Sequence, residues 1–240
     1  MISRTYSSTL LLAAFAAASG ANAQPATSLP RSTPEEQGVS SAALLGFINA
    51  AGDKIDAIHS VMIVRHGHVI TEGWWAPYAA DEPHMLYSLS KSFTSTAVGL
   101  AVSEGKLSLD GRVMDFFPDA VPAVPSKNLQ QMRVRDLLRM SSGQRADDIK
   151  DFPFTGKADP IRTFLEIPVP DIPGTHFVYN TPGSFMLSAI VQKVTGQTTL
   201  DYLGPRLFEP LGITDASWDT GTGGVSLGGY GLNLKTEDIA

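Results

Sequence analysis

Two runs rich in β-branched and aromatic residues, His59-Ser-Val-Met-Ile-Val-Arg65 and Val69-Ile-Thr-Glu-Gly-Trp-Trp75, flank Arg65-His66-Gly67-His68. That arrangement predicts a β-hairpin. A lone hairpin is marginal in water, so a larger sheet is expected to hold it. Elsewhere the apolar positions recur at helical spacing. Thr33-Pro34-Glu35-Glu36 resembles a helix start, and Ser40 to Ala51 has helical period. Val134 to Met140 reads as a short helix ended by Ser141-Ser142-Gly143. Thr181-Pro182 predicts an N-cap and an N1 proline for a helix through Thr195, closed by Gly196. Phe185, Met186, Ala189, Ile190 and Val194 are its expected buried stripe. Leu200 to Leu211 is helical in part, interrupted by Pro205, and Thr236-Glu237-Asp238 is a further helix start.

The most informative pattern runs from Ser92 to Ser103, where no side chain is charged. Leu89, Phe93, Ala97, Leu100 and Ala101 recur at three- and four-residue steps, and Ser, Thr, Ala and Gly fill the remaining face. This helix can therefore be packed closely on several sides. Lys91 stands in its first turn, three residues after Ser88, so the two side chains share one face. Burial disfavours an ammonium, and a neutral amine beside a hydroxyl is a base beside a nucleophile. A second Ser-x-x-Lys, Ser103-Glu104-Gly105-Lys106, falls at the helix tail, where Gly105 serves as a C-cap and Lys106 complements the dipole.

Other chemistries fit less well. Gly224-Val225-Ser226-Leu227-Gly228 matches the G-x-S-x-G elbow, but glycines flank it and no histidine follows His176, so it reads as a flexible or substrate-lining loop. His66-Gly67-His68 occupies a hairpin turn without the helical partners of a metal site. His84 and His176 read as loop histidines, and Asp147, Asp148 and Asp151 as a solvated loop. Tyr179, just before a capped helix, reads by its position either as an ordinary boundary aromatic, the reading sequence alone favours, or as a candidate for moving a proton between nucleophile and leaving group.

Arg4, the apolar run Leu10 to Ala18 and Ala21-Asn22-Ala23 read as a secretory signal peptide over residues 1–23, the apolar run being too short for a membrane anchor. A periplasmic or secreted protein is expected, with no membrane anchor after cleavage. Without cysteine it has no disulfide and no thiol nucleophile. A formal net charge of −6 with no basic cluster argues against nucleic acid as a partner. The sequence stops at Ala240, at a helix start and with one hairpin evident, which reads as a C-terminal truncation.

Leu86-Tyr-Ser-Leu-Ser-Lys-Ser-Phe-Thr-Ser95 resembles the active-site helix of class C β-lactamase-like serine hydrolases, a group shared with penicillin-binding proteins. The resemblance continues through Glu104 to Gly111, Asp136 to Gly143, Phe177 to Asn180, Val194 to Gly196, Leu207 to Ile213 and Gly228 to Leu232. It implies that Ser88 is the nucleophile, Lys91 its activating partner and Tyr179 the catalytic tyrosine, with no cofactor and no metal. Thr181 stands where the family often has the Asn of Tyr-x-Asn. That is similar to the branch of esterases and 6-aminohexanoate-oligomer hydrolases. The family's third motif, Lys-Thr-Gly or His-x-Gly on a late strand, has no counterpart, since Lys235-Thr236 is followed by Glu237.

The resemblance implies an α/β fold, an antiparallel sheet flanked by helices (β-lactamase/transpeptidase-like), with an inserted mostly helical domain. Residues 24–109 would carry the first part of the α/β domain with the nucleophile helix, 110–215 the inserted domain, and 216–240 the return toward the sheet. The expected reaction is hydrolysis of a small-molecule ester or amide through acyl-Ser88. A β-lactam substrate, as in a β-lactamase or a D-alanyl-D-alanine carboxypeptidase, is one alternative. A silent binding protein or inactive truncated remnant is another.

Overall fold

The computed structural model describes residues 28–240, so the signal-peptide expectation for residues 1–23 lies outside the described residues. An N-terminal arm leads through a 3₁₀ turn, Glu35–Gln37, into α1 (Ser41–Lys54), whose N-cap Ser40 accepts from the Ala43 amide. Helix α1 buries little beyond Ala51, but Gly52 lies so close to Trp75 that a Cβ there would stand 2.9 Å from Nε1. Strands β1 (Ser60–Arg65) and β2 (His68–Trp74) pair antiparallel, as their patterning predicts. His66 (φ 50°) and Gly67 (φ 77°) form the two-residue turn with positive φ at both positions.

This hairpin does not join a larger sheet among the described residues. It is tied down by long-range polar contacts instead. The arm bridges β2 through Val69 N donating to Pro30 O (2.8 Å), and Arg31 reaches Glu72 (2.9 Å) and Glu237 (2.6 Å). Thr236 Oγ1 accepts from Trp74 Nε1 and donates to Ser60 Oγ. Lys235 is paired with Asp215, so Lys235-Thr236 serves as a strut.

Three short strands, which the sequence does not announce, build a second antiparallel sheet: β3 (His84–Met85), β4 (Ser217–Trp218) and β5 (Leu232–Leu234), in the order β3-β5-β4. Strands of two or three residues carry no usable alternation. Between β3 and α2 (Ser90–Ser103) lies a 3₁₀ turn, Tyr87–Leu89, so Ser88 precedes the α-helix rather than opening it. The buried face of α2 is Ser90, Thr94, Ala97, Val98 and Ala101, whereas Leu89 is 43% exposed. The expected stripe is thus rotated toward the small residues, because what packs there approaches closely. Gly105 (φ 70°) ends α2 as expected, and Lys106 pairs with Glu104 at 2.7 Å.

From Asp110 to Asp215 every element is helical: α3 (Lys127–Gln131), α4 (Val134–Leu138), α5 (Ala146–Ile149), α6 (Pro160–Glu166), α7 (Thr181–Thr195) and α8 (Thr199–Leu203), joined by 3₁₀ turns. Helix α8 runs into a π-helical turn, Gly204–Phe208, where Pro205 interrupts the regular ladder as predicted. Helix α7 is the axis of the core. Pro182 through Val191 are all buried, so the amphipathic stripe expected from sequence is in fact a helix covered nearly all round. Each buried Phe, Met or Ile there stabilises the fold by about 1.5–3 kcal/mol. The N-cap is Asn180 rather than Thr181, with Thr181 and Pro182 in the first turn and Gly196 (φ 73°) closing the helix.

Candidate active site

Three elements converge at Ser88. The 3₁₀ turn carries its hydroxyl, and Tyr87 just before it holds a left-handed backbone (φ 43°), a strained conformation for a bulky residue. Lys91, in the first turn of α2, donates from Nζ to Ser88 Oγ (3.1 Å) and to the Gly229 carbonyl (2.7 Å). Tyr179, from the extended segment before α7, places its hydroxyl 2.7 Å from the same Oγ, and Lys91 Nζ lies 4.9 Å from the centre of its ring. All three residues singled out in the sequence are therefore brought together. Ser88 is exposed and Lys91 half-buried, its Nζ held on both sides rather than projecting into solvent. Burial pushes the Tyr179 phenol up, but its hydrogen bonds to Ser88 and Lys91 and the lysine's charge outweigh this and leave it below the ordinary tyrosine range.

The glycine-rich segment positions Lys91. Gly228 (φ 64°) lies against Ser184, where a Cβ would come within 2.5 Å of the carbonyl oxygen, and Thr94 Oγ1 donates to the Gly228 carbonyl at 2.7 Å. A Cβ on Gly229 would meet Thr181 Cγ2 at 2.6 Å and Lys91 Nζ at 3.4 Å, so only glycine brings this carbonyl to the ammonium. Ser90 Oγ accepts from the Leu232 amide (3.2 Å) and Leu86 N donates to the Leu232 carbonyl (2.8 Å). The small polar residues of α2 are thus docking points for a distant segment.

Tyr179 is positioned from behind by Asn180. Asn180 Oδ1 accepts from the Gly183 amide (2.7 Å), and its Nδ2 donates to Ser142 Oγ (3.0 Å) and Gln144 Oε1 (2.8 Å), all buried. Val178 N donates to the Met140 carbonyl at 2.8 Å. The Ser141-Ser142-Gly143 stretch that ends a helix in sequence is therefore also the bracket for the tyrosine segment. Sequence reasoning missed Asn180, Ser142, Gln144, Thr94 and Gly229 in these roles. The signal for Asn180 was present, because Asn is a strong N-cap residue. Replacing Asn180 with alanine removes a cap and leaves buried Ser142 and Gln144 short of a donor. A loss of about 2–4 kcal/mol in unfolding free energy by denaturant titration is expected.

Among the described residues, none of the other candidates hydrogen-bonds to Ser88, Lys91 or Tyr179 through its side chain. His66 bonds Gln37 (3.0 Å) within the hairpin turn, and no group of three or more metal-binding side chains occurs among the described residues. Ser226 is buried without a hydrogen-bond partner for its hydroxyl, which is not the exposed serine of an elbow. His176 contacts Thr175. His84 is not a loop histidine. It lies in β3, 5.0 Å from the Tyr78 ring, which in turn stacks on His59 at 3.8 Å. Burial, with some help from His59 and against Glu82, holds the His84 imidazole below its usual range.

The Beta-lactamase family profile matches residues 35–230. The chain belongs to the beta-lactamase family. Among curated relatives, this family member is 31% identical over 150 residues to penicillin-binding protein 4 of Amycolatopsis lactamdurans, a match covering 60% of this chain and 38% of that protein. It is 27% identical over 164 residues to lovastatin esterase of Penicillium rubens, covering 59% and 41% of the two chains. It thus spans less than half the length of either. Among solved structures, a putative 6-aminohexanoate-dimer hydrolase from Bacillus anthracis superposes with a TM-score of 0.66 at 18% identity, over 80% of this chain and 54% of that one. The fold is accordingly β-lactamase/transpeptidase-like, with helices and antiparallel sheets, as its motifs implied. No helix among the described residues is long and apolar enough to cross a membrane.

Proposed function

We propose that this beta-lactamase family member is a serine hydrolase that cleaves small-molecule esters or amides through an acyl-Ser88 intermediate. The observation that carries this reading is one oxygen, Ser88 Oγ, within hydrogen-bond distance of both Lys91 Nζ (3.1 Å) and the Tyr179 hydroxyl (2.7 Å). In the proposed cycle Lys91 acts through its charge rather than as the neutral base its spacing suggests, and Tyr179, its phenolate stabilised by that charge, takes the Ser88 proton as Oγ attacks the substrate carbonyl. The resulting phenol then protonates the leaving alcohol or amine. Tyr179 next deprotonates a water that attacks the acyl-enzyme and returns the proton to Ser88. The Gly229 carbonyl orients the lysine. A nucleophile with its base in contact and the base oriented by a third group is the constellation such catalysis needs. Residues 24–109, 110–215 and 216–240 would form the first α/β part, the helical insert and the return to the sheet. The sequence of residues 1–23 supports a periplasmic or secreted location.

The choice of ester or amide over β-lactam rests on Thr181 at the third position of the Tyr179 motif and on the likeness to an esterase. The penicillin-binding-protein relative favours the second reading, a β-lactamase or D-alanyl-D-alanine carboxypeptidase. A fluorophosphonate probe is expected to label Ser88 covalently, with mass spectrometry locating the adduct. Hydrolysis of p-nitrophenyl butyrate faster than nitrocefin supports the first reading, and the reverse order supports the second. Folded protein that neither labels nor turns over either substrate would place the chain with the silent binding proteins.

A further inference from the structure

The extended segment that carries Tyr179 alternates in burial. Val178 packs against the core and Asn180 is buried, whereas Phe177 and Tyr179 are exposed. Successive side chains of an extended chain point to opposite faces, so Phe177 shares the face from which the Tyr179 hydroxyl reaches Ser88 Oγ. Phe177 is 72% exposed, yet the backbone around it is held on both sides. Gly174 N donates to the Ser141 carbonyl (2.7 Å), Thr175 Oγ1 to the Ile172 carbonyl (2.6 Å) and Val178 N to the Met140 carbonyl (2.8 Å). The ring is therefore presented to solvent from a fixed backbone. Tyr87 and Leu89, on either side of Ser88 in the chain, are exposed as well. Apolar side chains left in water beside both the nucleophile and its base are surface that a ligand can cover. Charge is scarce here too. No side chain from Pro83 to Ser90, from Ile172 to Gln192 or from Thr220 to Leu234 is formally charged, and Lys91 is engaged by Ser88 and the Gly229 carbonyl.

We propose that Phe177 recognises the leaving group, and that the substrates are neutral esters or amides whose departing alcohol or amine bears an aromatic or branched hydrocarbon. This inference rests on the hydrolase reading above and gives Phe177 a place in it. In that cycle the Tyr179 phenol protonates the departing oxygen or nitrogen, which must come within about 3.2 Å of the hydroxyl. The leaving group thus lies on the Tyr179 side of the scissile bond, while the acyl chain stays bonded to Ser88 Oγ. Two residues of extended chain span roughly 7 Å, so Phe177 stands about one ring's length from Tyr179 on the same face. A benzyl substituent on the departing atom bridges that interval and covers the Phe177 ring, whereas a methyl group falls short of it. Aromatic rings that meet in this way gain both buried apolar area and a stacking or edge contact.

Benzyl butyrate and methyl butyrate, whose alcohols are of similar acidity, test it by kcat/KM, which reports the acylation step in which the alcohol departs. Phe177→Ala is expected to lower kcat/KM about tenfold more on the benzyl ester than on the methyl ester. Phe177→Leu, which keeps apolar bulk, should retain most of the benzyl preference. Moving the ring to the acyl side supplies the control. The ratio of methyl phenylacetate to methyl butyrate should be the same with phenylalanine or alanine at this position. Circular dichroism of each variant confirms that the fold is intact. An unchanged benzyl-to-methyl ratio overturns the proposal. So does an equal fall on all esters, or a shift confined to the acyl series. Those outcomes, in a wild-type chain that turns the esters over, leave the hydrolase reading standing. A chain that neither labels with fluorophosphonate nor cleaves any ester overturns that reading, and this inference with it.

Discussion

Ser88→Ala is expected to lower kcat on p-nitrophenyl esters by roughly 10⁴-fold or more, with little change in thermal stability. The hydroxyl is the atom on which Lys91 and Tyr179 converge, at 3.1 and 2.7 Å, and no other protein group takes its place as the attacking oxygen. Ser88 is exposed, so its loss opens no core cavity and removes no buried partner. That separation matters for the measurement. A fall in activity accompanied by an unchanged denaturation midpoint assigns the hydroxyl to chemistry, and turnover near wild type in the alanine variant would eliminate the covalent scheme.

The second large effect is expected at Tyr179. Tyr179→Phe removes the phenol while keeping the ring, and a general acid–base group typically contributes about 10²–10⁴-fold. The pH dependence gives the sharper readout. Burial raises the phenol's proton affinity, but the contacts with Ser88 and Lys91 lower it more, so the net shift is downward from the ordinary tyrosine value near 10. A group that acts as phenolate gains its active form as pH rises, so kcat/KM should climb with pH and level off below the range of free tyrosine. Tyr179→Phe should abolish that limb along with the rate. If the limb persists in the phenylalanine variant, another group is the base. The sign for stability follows likewise. With the folded value depressed, the ionised phenol favours the native state, a contribution fully present above the ordinary tyrosine range and lost as pH falls through the depressed folded value.

Several expectations failed at the level of packing while the underlying element was right. The stripe of α2 was expected to include Leu89, yet this residue is 43% exposed and Ser90 and Thr94 are buried. Hydrophobicity alone ranks leucine above serine, but the segment from Gly228 to Leu232 brings backbone carbonyls and an amide to that face. Only small side chains with hydroxyls both admit it and satisfy it. Gly224 to Gly228 is no nucleophile elbow, since the Ser226 hydroxyl is buried and without a partner. Its neighbour Gly229, which carries no side chain at all, proved to be the lysine's partner.

What the sequence determined by itself was local. The i,i+3 placement of Ser88 and Lys91, the hairpin, the short helix from Val134 and the glycine-capped α7 follow from spacings of a few residues, and motif resemblance added Tyr179, the fold class and the expectation of a helical insert over 110–215. What only the tertiary structure decided is how contacts separated by 91 residues, from Ser88 to Tyr179, and by 138, from Lys91 to Gly229, close on one another. It also decided that the hairpin stands as its own sheet beside a second one made of two- and three-residue strands. The reason is physical. Periodicity and capping encode a chain's preference for its own next turn. Which distant backbone group meets a given side chain depends on how whole elements pack, and a glycine that permits that approach leaves no pattern to read.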